Sequence, residues 1–318
     1  FEESYKLEDV SGQNTNTISS WSCGPGGILD ISCIQRRNIC IVSTGAHGVL
    51  GVDVRAKDPS WTLCADPTMG IPTRVGVDIE CPHYFVTGTS RGFTTVWDMR
   101  FLLPVNSWRN PSHAPIESIA ITSGATIGVS SSGPVAITAS GIDEISGWDI
   151  VSGSCKIVLA SRGSTQADAF VPEALKVSVM DKQKPEDPLG LARQMGASDL
   201  RSLSSKRTSV KSVLVTATGK ILSGGADKCI RLWNPKDPAR SYTVASARDG
   251  PSSNTSNYVS QAYMGDTKVL TEYSRKAVPP ESNVVWHTGH VTSLMQLQGQ
   301  KDKLLASASS NGILHVWR

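Results

Sequence analysis

Five segments of this 318-residue chain share one pattern, and no other feature limits the possible folds as much. Each segment is a short apolar run, then small residues with a turn, then a second apolar run that ends in a two-residue signature. Helical periodicity is nearly absent, so the pattern predicts pairs of β-strands joined by tight turns. The five signatures are Val52-Asp53, Trp97-Asp98, Trp148-Asp149, Trp233-Asn234 and Trp317-Arg318.

The spacing of these signatures indicates how the strands are organised. The first three signatures lie 45 and 51 residues apart, close to the ~40–45 residues of a four-stranded WD-type propeller blade. The last two intervals, of 85 and 84 residues, fit one blade plus an insertion of roughly forty residues. The sequence therefore predicts an all-β, WD-repeat β-propeller over residues 29–318, with about five visible blades and two long insertions, at about 162–208 and 247–285.

A particular set of side chains is expected to hold the blades together. In WD-type blades, hydrogen bonds often connect a His before the first strand, a Ser or Thr on the second strand, an Asp in the tight turn and a Trp on the third strand. In the last repeat Asn311 stands where the Asp is expected, and Asn311-Gly312 predicts a type I′ turn. The predicted blade-holding residues are Trp97, Asp98, Trp148, Asp149, Ser223, Asp227, Trp233, His290, Ser307 and Trp317.

One short motif is also found around a catalytic serine in another class of protein. Residues 88–92 spell G-x-S-x-G, the pattern around the nucleophilic serine of α/β-hydrolases. That motif needs a strand, a strained elbow and a helix, whereas residues 93–101 are mostly β-branched, aromatic and apolar. We therefore interpret Ser90 as part of a turn between two strands, and keep a propeller hydrolase that uses Ser90 as a remote alternative.

Composition and spacing predict no catalytic residue, no cofactor and no metal. The six histidines show no H-E-x-x-H spacing, and the seven cysteines form no C-x-x-C pair. The odd number of cysteines favours free thiols in a reducing compartment. A formal net charge of +3 is too small to predict a nucleic-acid partner. No apolar run reaches the ~18 residues that a membrane-spanning helix needs.

Several stretches go beyond general WD features and resemble one family. They are "GTSRGFTTVWDMRFLLP" (88–104), "GIDEISGWDIVSG" (141–153), "SGGADKCIRLWNPKDPARSYTVAS" (223–246) and "SSNGILHVWR" (309–318). Together they closely resemble the C-terminal propeller of the regulatory subunit of class III phosphatidylinositol 3-kinase, the vacuolar-protein-sorting scaffold with a kinase-like domain. The most specific parts are the W-D-M-R-F-x-L-P and P-x-R-S-Y-x-V stretches, which begin at Trp97 and Pro238.

The resemblance implies a fold, partners and a location. A full-length protein of this family has a lipid-anchored, serine/threonine-protein-kinase-like N-terminal domain, a helical-repeat middle and a seven-bladed propeller. It holds the class III lipid kinase catalytic subunit against Beclin-type coiled-coil subunits, in complexes that make phosphatidylinositol 3-phosphate for autophagy and endosome-to-vacuole sorting. This chain is thus expected to be a non-catalytic scaffold, cytoplasmic and peripheral on endosomal, vacuolar and autophagic membranes, with indirect membrane association.

The resemblance leaves boundaries and alternatives open. Residues 1–28 are expected to be the outer strand of a preceding blade plus a linker, and about two blades are expected upstream of the chain. The chain opens without Met and with acidic, polar residues, so no signal peptide is visible. An unrelated WD adaptor, similar to a G-protein β subunit or a ubiquitin-ligase receptor, is the alternative function.

The two insertions carry different expectations. The first is rich in Pro, Ser, Lys and Asp, which favours a solvated loop. Its basic stretch at 201–211 also fits a phosphorylation site at Ser205, Thr208 or Ser209, or a contact with anionic lipid. The second insertion has enough Tyr, Val and Leu to cross the propeller surface as an ordered strand. It is the first place where we expect a partner contact.

Overall fold

The structure is a computed structural model that consists almost entirely of β-strands. Five sheets are arranged in a ring, as blades of a β-propeller, which confirms the predicted fold class. In every blade the signature lies at the end of the third strand, and the third strand of the last blade ends at Trp317. The described residues are 26–45, 48–56, 59–64, 66–78, 81–131, 133–140, 143–162, 172–175, 210–245, 258–273, 287–298 and 303–317.

The first two blades are four-stranded antiparallel sheets. The first contains β1 (Ile28–Ile34), β2 (Ile39–Thr44), β3 (Gly48–Asp53) and β4 (Trp61–Leu63). The second contains β5 (Pro72–Val77), β6 (Tyr84–Thr89), β7 (Phe93–Asp98) and β8 (Leu103–Arg109). The 3₁₀ turns of this part of the chain are Gln35–Arg37 and Pro67–Met69.

The third blade has six strands, because a hairpin from the second insertion joins its outer edge. Its own strands are β9 (Ile116–Ser123), β10 (Pro134–Ser140), β11 (Glu144–Asp149) and β12 (Cys155–Arg162). A short helix α1 (Gly124–Ile127) follows β9, and a 3₁₀ turn, Glu173–Leu175, lies in the first insertion.

The fourth blade has four strands, and the fifth has three among the described residues. The fourth contains β13 (Val210–Val215), β14 (Ile221–Gly225), β15 (Ile230–Trp233), a 3₁₀ turn (Pro238–Arg240) and β16 (Tyr242–Ala245). The added hairpin is β17 (Tyr258–Met264) and β18 (Thr267–Tyr273). The fifth blade contains β19 (Val291–Gln298), β20 (Lys303–Ser309) and β21 (Leu314–Trp317).

The core lies between neighbouring blades, which explains why several strands are apolar on both faces. The first strands of successive blades contact one another, so they line the inner side of the ring. Between blades one and two, Ile41 packs with Phe85, and the Phe85 ring stacks on Trp97. Between blades three and four, Ile137 and Ile221 belong to one buried cluster.

A shared turn joins the second and third strands in blades two, four and five. In each, the residue that closes the turn has a positive φ and its N–H bonds to a carbonyl three residues earlier. The residue is Gly92 (φ 79°), Lys228 (φ 65°) and Gly312 (φ 79°), respectively. Asn311 is not among the residues with positive φ, so the predicted type I′ turn is wrong. A turn with one left-handed residue at its end is instead the form typical of three-residue hairpin loops.

Candidate functional site

The tryptophan indoles hold the blades together through hydroxyl groups. The indole N–H donates to a hydroxyl ten residues earlier, on the second strand, in blades two, four and five. In blade three the acceptor is Ser146 on the same strand, and Ser146 in turn bonds to Thr138, which occupies the second-strand position. The pairs are Trp97–Thr87 (2.9 Å), Trp148–Ser146 (2.8 Å), Trp233–Ser223 (2.9 Å) and Trp317–Ser307 (2.7 Å).

The aspartates after the tryptophans stabilise turns rather than the indoles. Asp98 accepts bonds from the backbone and guanidinium of Arg100, and these hydrogen bonds lower the pKa of Asp98 to about 2. Asp149 accepts from the Ser131 hydroxyl at 2.6 Å and from the next turn's backbone. Burial raises the pKa of Asp149, but the hydrogen bond from Ser131 and the others in its turn lower it overall. Both residues therefore fix the connection to the fourth strand.

The histidine that contacts Ser307 is His287, whereas the sequence predicted His290. His287 is fully buried and its Nε2 lies 2.7 Å from Ser307 Oγ, which also accepts the Trp317 indole N–H. His290 immediately precedes β19 at the exposed end of the sheet, and its backbone N–H donates to Ser310 Oγ. The imidazole of His287, three residues upstream, lies beside the second strand, β20, where it contacts Ser307.

Among the described residues, no carboxylate contacts His287 in the way that WD-type blades often provide. Asn311, in the Asp position, bonds to the hydroxyls of Thr288 and Ser309 instead. The imidazole of His315 lies 4.5 Å from that of His287, centroid to centroid. Burial and the charge of His315 both lower the pKa of His287. The buried imidazole is therefore held in its neutral form.

A buried ionic cluster joins the added hairpin to the fourth blade. Arg231 on β15 pairs with Asp227 and with Glu272 on β18, at 2.5 Å each, and all three side chains are 14% exposed or less. Burial by itself lowers the pKa of Arg231, but attraction to the two carboxylates raises it overall. Glu272 also accepts from Thr243 Oγ1 at 2.8 Å and Ser161 Oγ at 3.0 Å. One carboxylate thus connects β12, β15, β16 and β18.

The same hairpin is anchored along its whole length to the third blade. β18 pairs in parallel with β12, from Ile157 opposite Lys268 to Arg162 opposite Tyr273. The ammonium group of Lys268 donates to the carbonyl of Pro235 in blade four at 2.5 Å, and Thr267 donates to the carbonyl of Cys155 at 2.7 Å. β18 is buried from Thr267 to Glu272, while β17 forms the outer edge of the sheet.

Large apolar side chains are exposed on the rim of blades two and three. We call this set the rim patch: Phe101 (69% exposed), Leu103 (61%), Val105 (67%) and Val151 (79%). Asn106 connects its two parts, since its side-chain amide donates to the carbonyls of Ile150 and Val151 at 3.1 Å. Beside it, a groove of about 420 Å³ is lined by Met69, Trp97 and Val105, among others. Large contiguous patches of exposed apolar side chains mark interaction surfaces, and the rim patch is therefore a candidate for such a surface.

The remaining predicted sites are the serine of the G-x-S-x-G motif and the three candidate phosphorylation residues. Ser90 lies in the turn between β6 and β7, and its Oγ accepts a bond from the backbone N–H of Ile71 at 3.1 Å. A strand follows it, so the strand-elbow-helix geometry of a hydrolase is absent at this position. Ser205, Thr208 and Ser209 lie outside the described residues, and their phosphorylation stays a prediction.

The described residues also bear on a metal site and on a membrane-spanning helix. Within the described ranges, no group of three or more His, Cys, Asp or Glu side chains is placed to hold a metal ion. Among the same residues, no helix is both long and apolar enough to span a membrane.

Comparison with known proteins identifies relatives along most of the chain. No protein-family model matches it. The serine/threonine-protein kinase VPS15 of Arabidopsis thaliana is 30% identical over 293 residues, which is 87% of this chain and 19% of that protein. The protein of the same name from Saccharomyces cerevisiae is 20% identical over 289 residues, 89% of this chain and 18% of its own length.

The chain is homologous to VPS15. It spans less than a fifth of the length of these two VPS15 relatives. Its β-propeller arrangement fits the WD-repeat region of VPS15. The propeller corresponds to a part of VPS15 that is not catalytic.

The chain also contains two buried charged residues that the repeat pattern does not predict. They are Arg231 and Glu272, which lie inside the strands "CIRLW" and "VLTEY". A charge in such a strand signals a buried ion pair. Its partner, however, is not readable from the sequence, because the two residues are 41 positions apart.

Proposed function

We propose that this chain is a non-catalytic scaffold of a class III phosphatidylinositol 3-kinase complex. In that role it supports phosphatidylinositol 3-phosphate production in autophagy and in endosome-to-vacuole sorting. The observation that carries the proposal is the 30% identity to VPS15 over 87% of the chain, on a five-blade propeller. The resemblance of the stretches at 97–104 and 238–244 to the family's regulatory subunit, which goes beyond general WD features, supports the same proposal.

The proposed partners are the class III lipid kinase catalytic subunit and Beclin-type coiled-coil subunits, bound by the full-length protein. The rim patch supports a scaffold role, because a propeller that only closes on itself does not need such side chains in solvent. We propose a cytoplasmic location, peripheral on endosomal, vacuolar and autophagic membranes, with indirect membrane contact. The small net charge gives no support for nucleic-acid binding.

Affinity purification of the full-length protein tests this function. Mass spectrometry of the eluate is expected to find the lipid kinase and a Beclin-type subunit in near-stoichiometric amounts. Recovery of a G-protein γ-like subunit or of ubiquitin-ligase components instead would favour the unrelated adaptor. A hydrolase that uses Ser90 would lose its activity in Ser90→Ala, whereas the scaffold proposal predicts that this variant purifies with the same subunits as the unsubstituted protein.

A further inference from the structure

The outer edge of β17 has the features of a strand that can pair with another chain. β17 is the last strand of the six-stranded sheet, and among the described residues only β18 pairs with it. Its pairing with β18 runs without a register shift from Tyr258 to Met264. In an antiparallel pair, alternate residues direct their N–H and C=O groups away from the partner. The outer side of β17 thus carries a row of backbone donors and acceptors.

Edge strands are usually protected against pairing, but within the described residues β17 itself carries none of the usual protective features. Natural proteins place Lys, Pro, a bulge or a very short strand at an edge. The seven residues of β17, "YVSQAYM", contain no charged residue and no proline, and the strand has no bulge. In its second half the side chains from Gln261 to Met264 are all exposed. The edge is therefore long, regular and neutral.

The edge is also held rigidly, which lowers the conformational cost of binding. β18, directly behind it, is fixed to β12 by six consecutive parallel pairs and to blade four by Glu272. A strand that adds to β17 meets a sheet that is already formed. Only the incoming segment has to become ordered.

The surroundings of β17 limit the chemistry of the segment that fits. Tyr263 is 64% exposed and Met264 lies next to it, so apolar side chains flank the backbone row. The 3₁₀ turn Pro238–Arg240 lies against β17, and the exposed Arg240 is already paired with Asp237. Among the described residues, Arg240 is paired and Asp266 lies in the hairpin turn rather than on the strand, so a charged side chain along an added strand would lose water without gaining a counter-ion there. A neutral segment with apolar side chains at alternate positions suits this edge.

We propose that β17 binds an extended, uncharged, partly apolar segment of a partner subunit by β-strand addition. Main-chain hydrogen bonds would supply the affinity, and contacts at Tyr263 and Met264 the preference for apolar side chains. A second copy is the other possible occupant. When two copies pair through β17, each copy brings its own Pro238–Arg240 turn, which lies against β17. A single segment from a partner has to fit beside one such turn only. The inference rests on the proposed scaffold function, because a scaffold supplies the partner.

Hydrogen–deuterium exchange tests the proposal on the full-length protein, alone and assembled with the lipid kinase and Beclin-type subunits. We expect slower exchange of the peptide covering 258–264 in the complex, with the β18 amides unchanged. Tyr263→Lys adds a charge at the edge and is expected to weaken assembly roughly tenfold, equivalent to about 1.4 kcal/mol. Val54→Lys is the control, since Val54 is also an exposed apolar residue and lies just after β3 in another blade. It is expected to assemble like the unsubstituted protein.

The possible outcomes separate this inference from the proposed function. If the unsubstituted protein assembles but residues 258–264 exchange equally fast in the complex, the strand-addition proposal is wrong and the scaffold function stands. If Tyr263→Lys assembles as well as the unsubstituted protein, the strand-addition proposal is likewise wrong and the scaffold function stands. Slower exchange that depends on protein concentration without partners would identify a second copy and overturn the proposal. If the unsubstituted protein does not assemble with the lipid kinase at all, the proposed function fails and the inference fails with it.

Discussion

Replacing Arg231 by methionine tests the central packing feature of the candidate site. The substitution removes the cation but keeps a similar volume, so two carboxylates, Asp227 and Glu272, remain buried without their shared partner. Removing one member of a buried ion pair typically costs 3–5 kcal/mol. Glu272 keeps its bonds from the Thr243 and Ser161 hydroxyls. We therefore expect a loss near the lower end of that range, about 3 kcal/mol, in the free energy of unfolding.

Urea denaturation measures this loss and its cause. An ionised carboxylate that stays buried without a counter-ion is costly, and Arg231→Met leaves two of them. Adding Glu272→Gln to Arg231→Met should recover part of the stability, because one uncompensated charge is removed.

A matched surface pair provides the control. Arg240 also pairs with an aspartate, Asp237, but their side chains are 80% and 48% exposed. Exposed pairs contribute about 0–1 kcal/mol, so Arg240→Met should leave the unfolding midpoint almost unchanged. If Arg231→Met cost no more than Arg240→Met, the cluster would not hold the hairpin to blade four. Our account of Glu272 would then be wrong.

Three further predictions concern the blades. Trp97→Phe removes the donor to Thr87 and should cost roughly 1–3 kcal/mol in a urea titration, because a buried hydroxyl loses its bond. A buried environment lowers the pKa of His287. The imidazole therefore binds a proton more readily in the unfolded chain than in the folded one, and the free energy of unfolding should fall as the pH drops through ~6.5. Titrations at pH 7.5 and 5.5 should show a smaller difference in His287→Gln than in the unsubstituted protein. Gly92→Ala should lower the melting temperature by costing on the order of 1–2 kcal/mol, since Gly92 has a φ of 79° and a Cβ there would lie 2.8 Å from the carbonyl of Ala114. A loss below 0.3 kcal/mol would contradict the expectation for Gly92.

The fold was readable from the sequence because its signals are local. The strand, turn and strand of each repeat lie close together in the chain, and the first three signatures recur at blade spacing. The turn around Ser90 was also readable, since a β-branched run follows it directly. Such local signals can be recognised in a single sequence because hydrophobic alternation and turn residues involve neighbouring positions.

The parts that could not be read depend on contacts between distant positions. The second insertion was expected to form an ordered strand, but nothing in residues 258–273 indicates a parallel pairing with β12, about 110 residues upstream. The choice of His287 over His290 depends on the path of the chain into β19 rather than on composition. The partner of Arg231 is likewise set by which blades become neighbours. Such pairings are properties of the assembled ring.

A comparison of two forms of the full-length protein, one complete and one lacking residues 29–318, tests whether the propeller is needed to hold the complex together. The measured quantity is the lipid kinase and Beclin-type subunit recovered per scaffold molecule. Phosphatidylinositol 3-phosphate formation on vesicles by the same eluates gives a second readout. We expect the truncated form to lose the coiled-coil subunit and to form less product. Equal recovery and equal product from both forms would contradict this expectation.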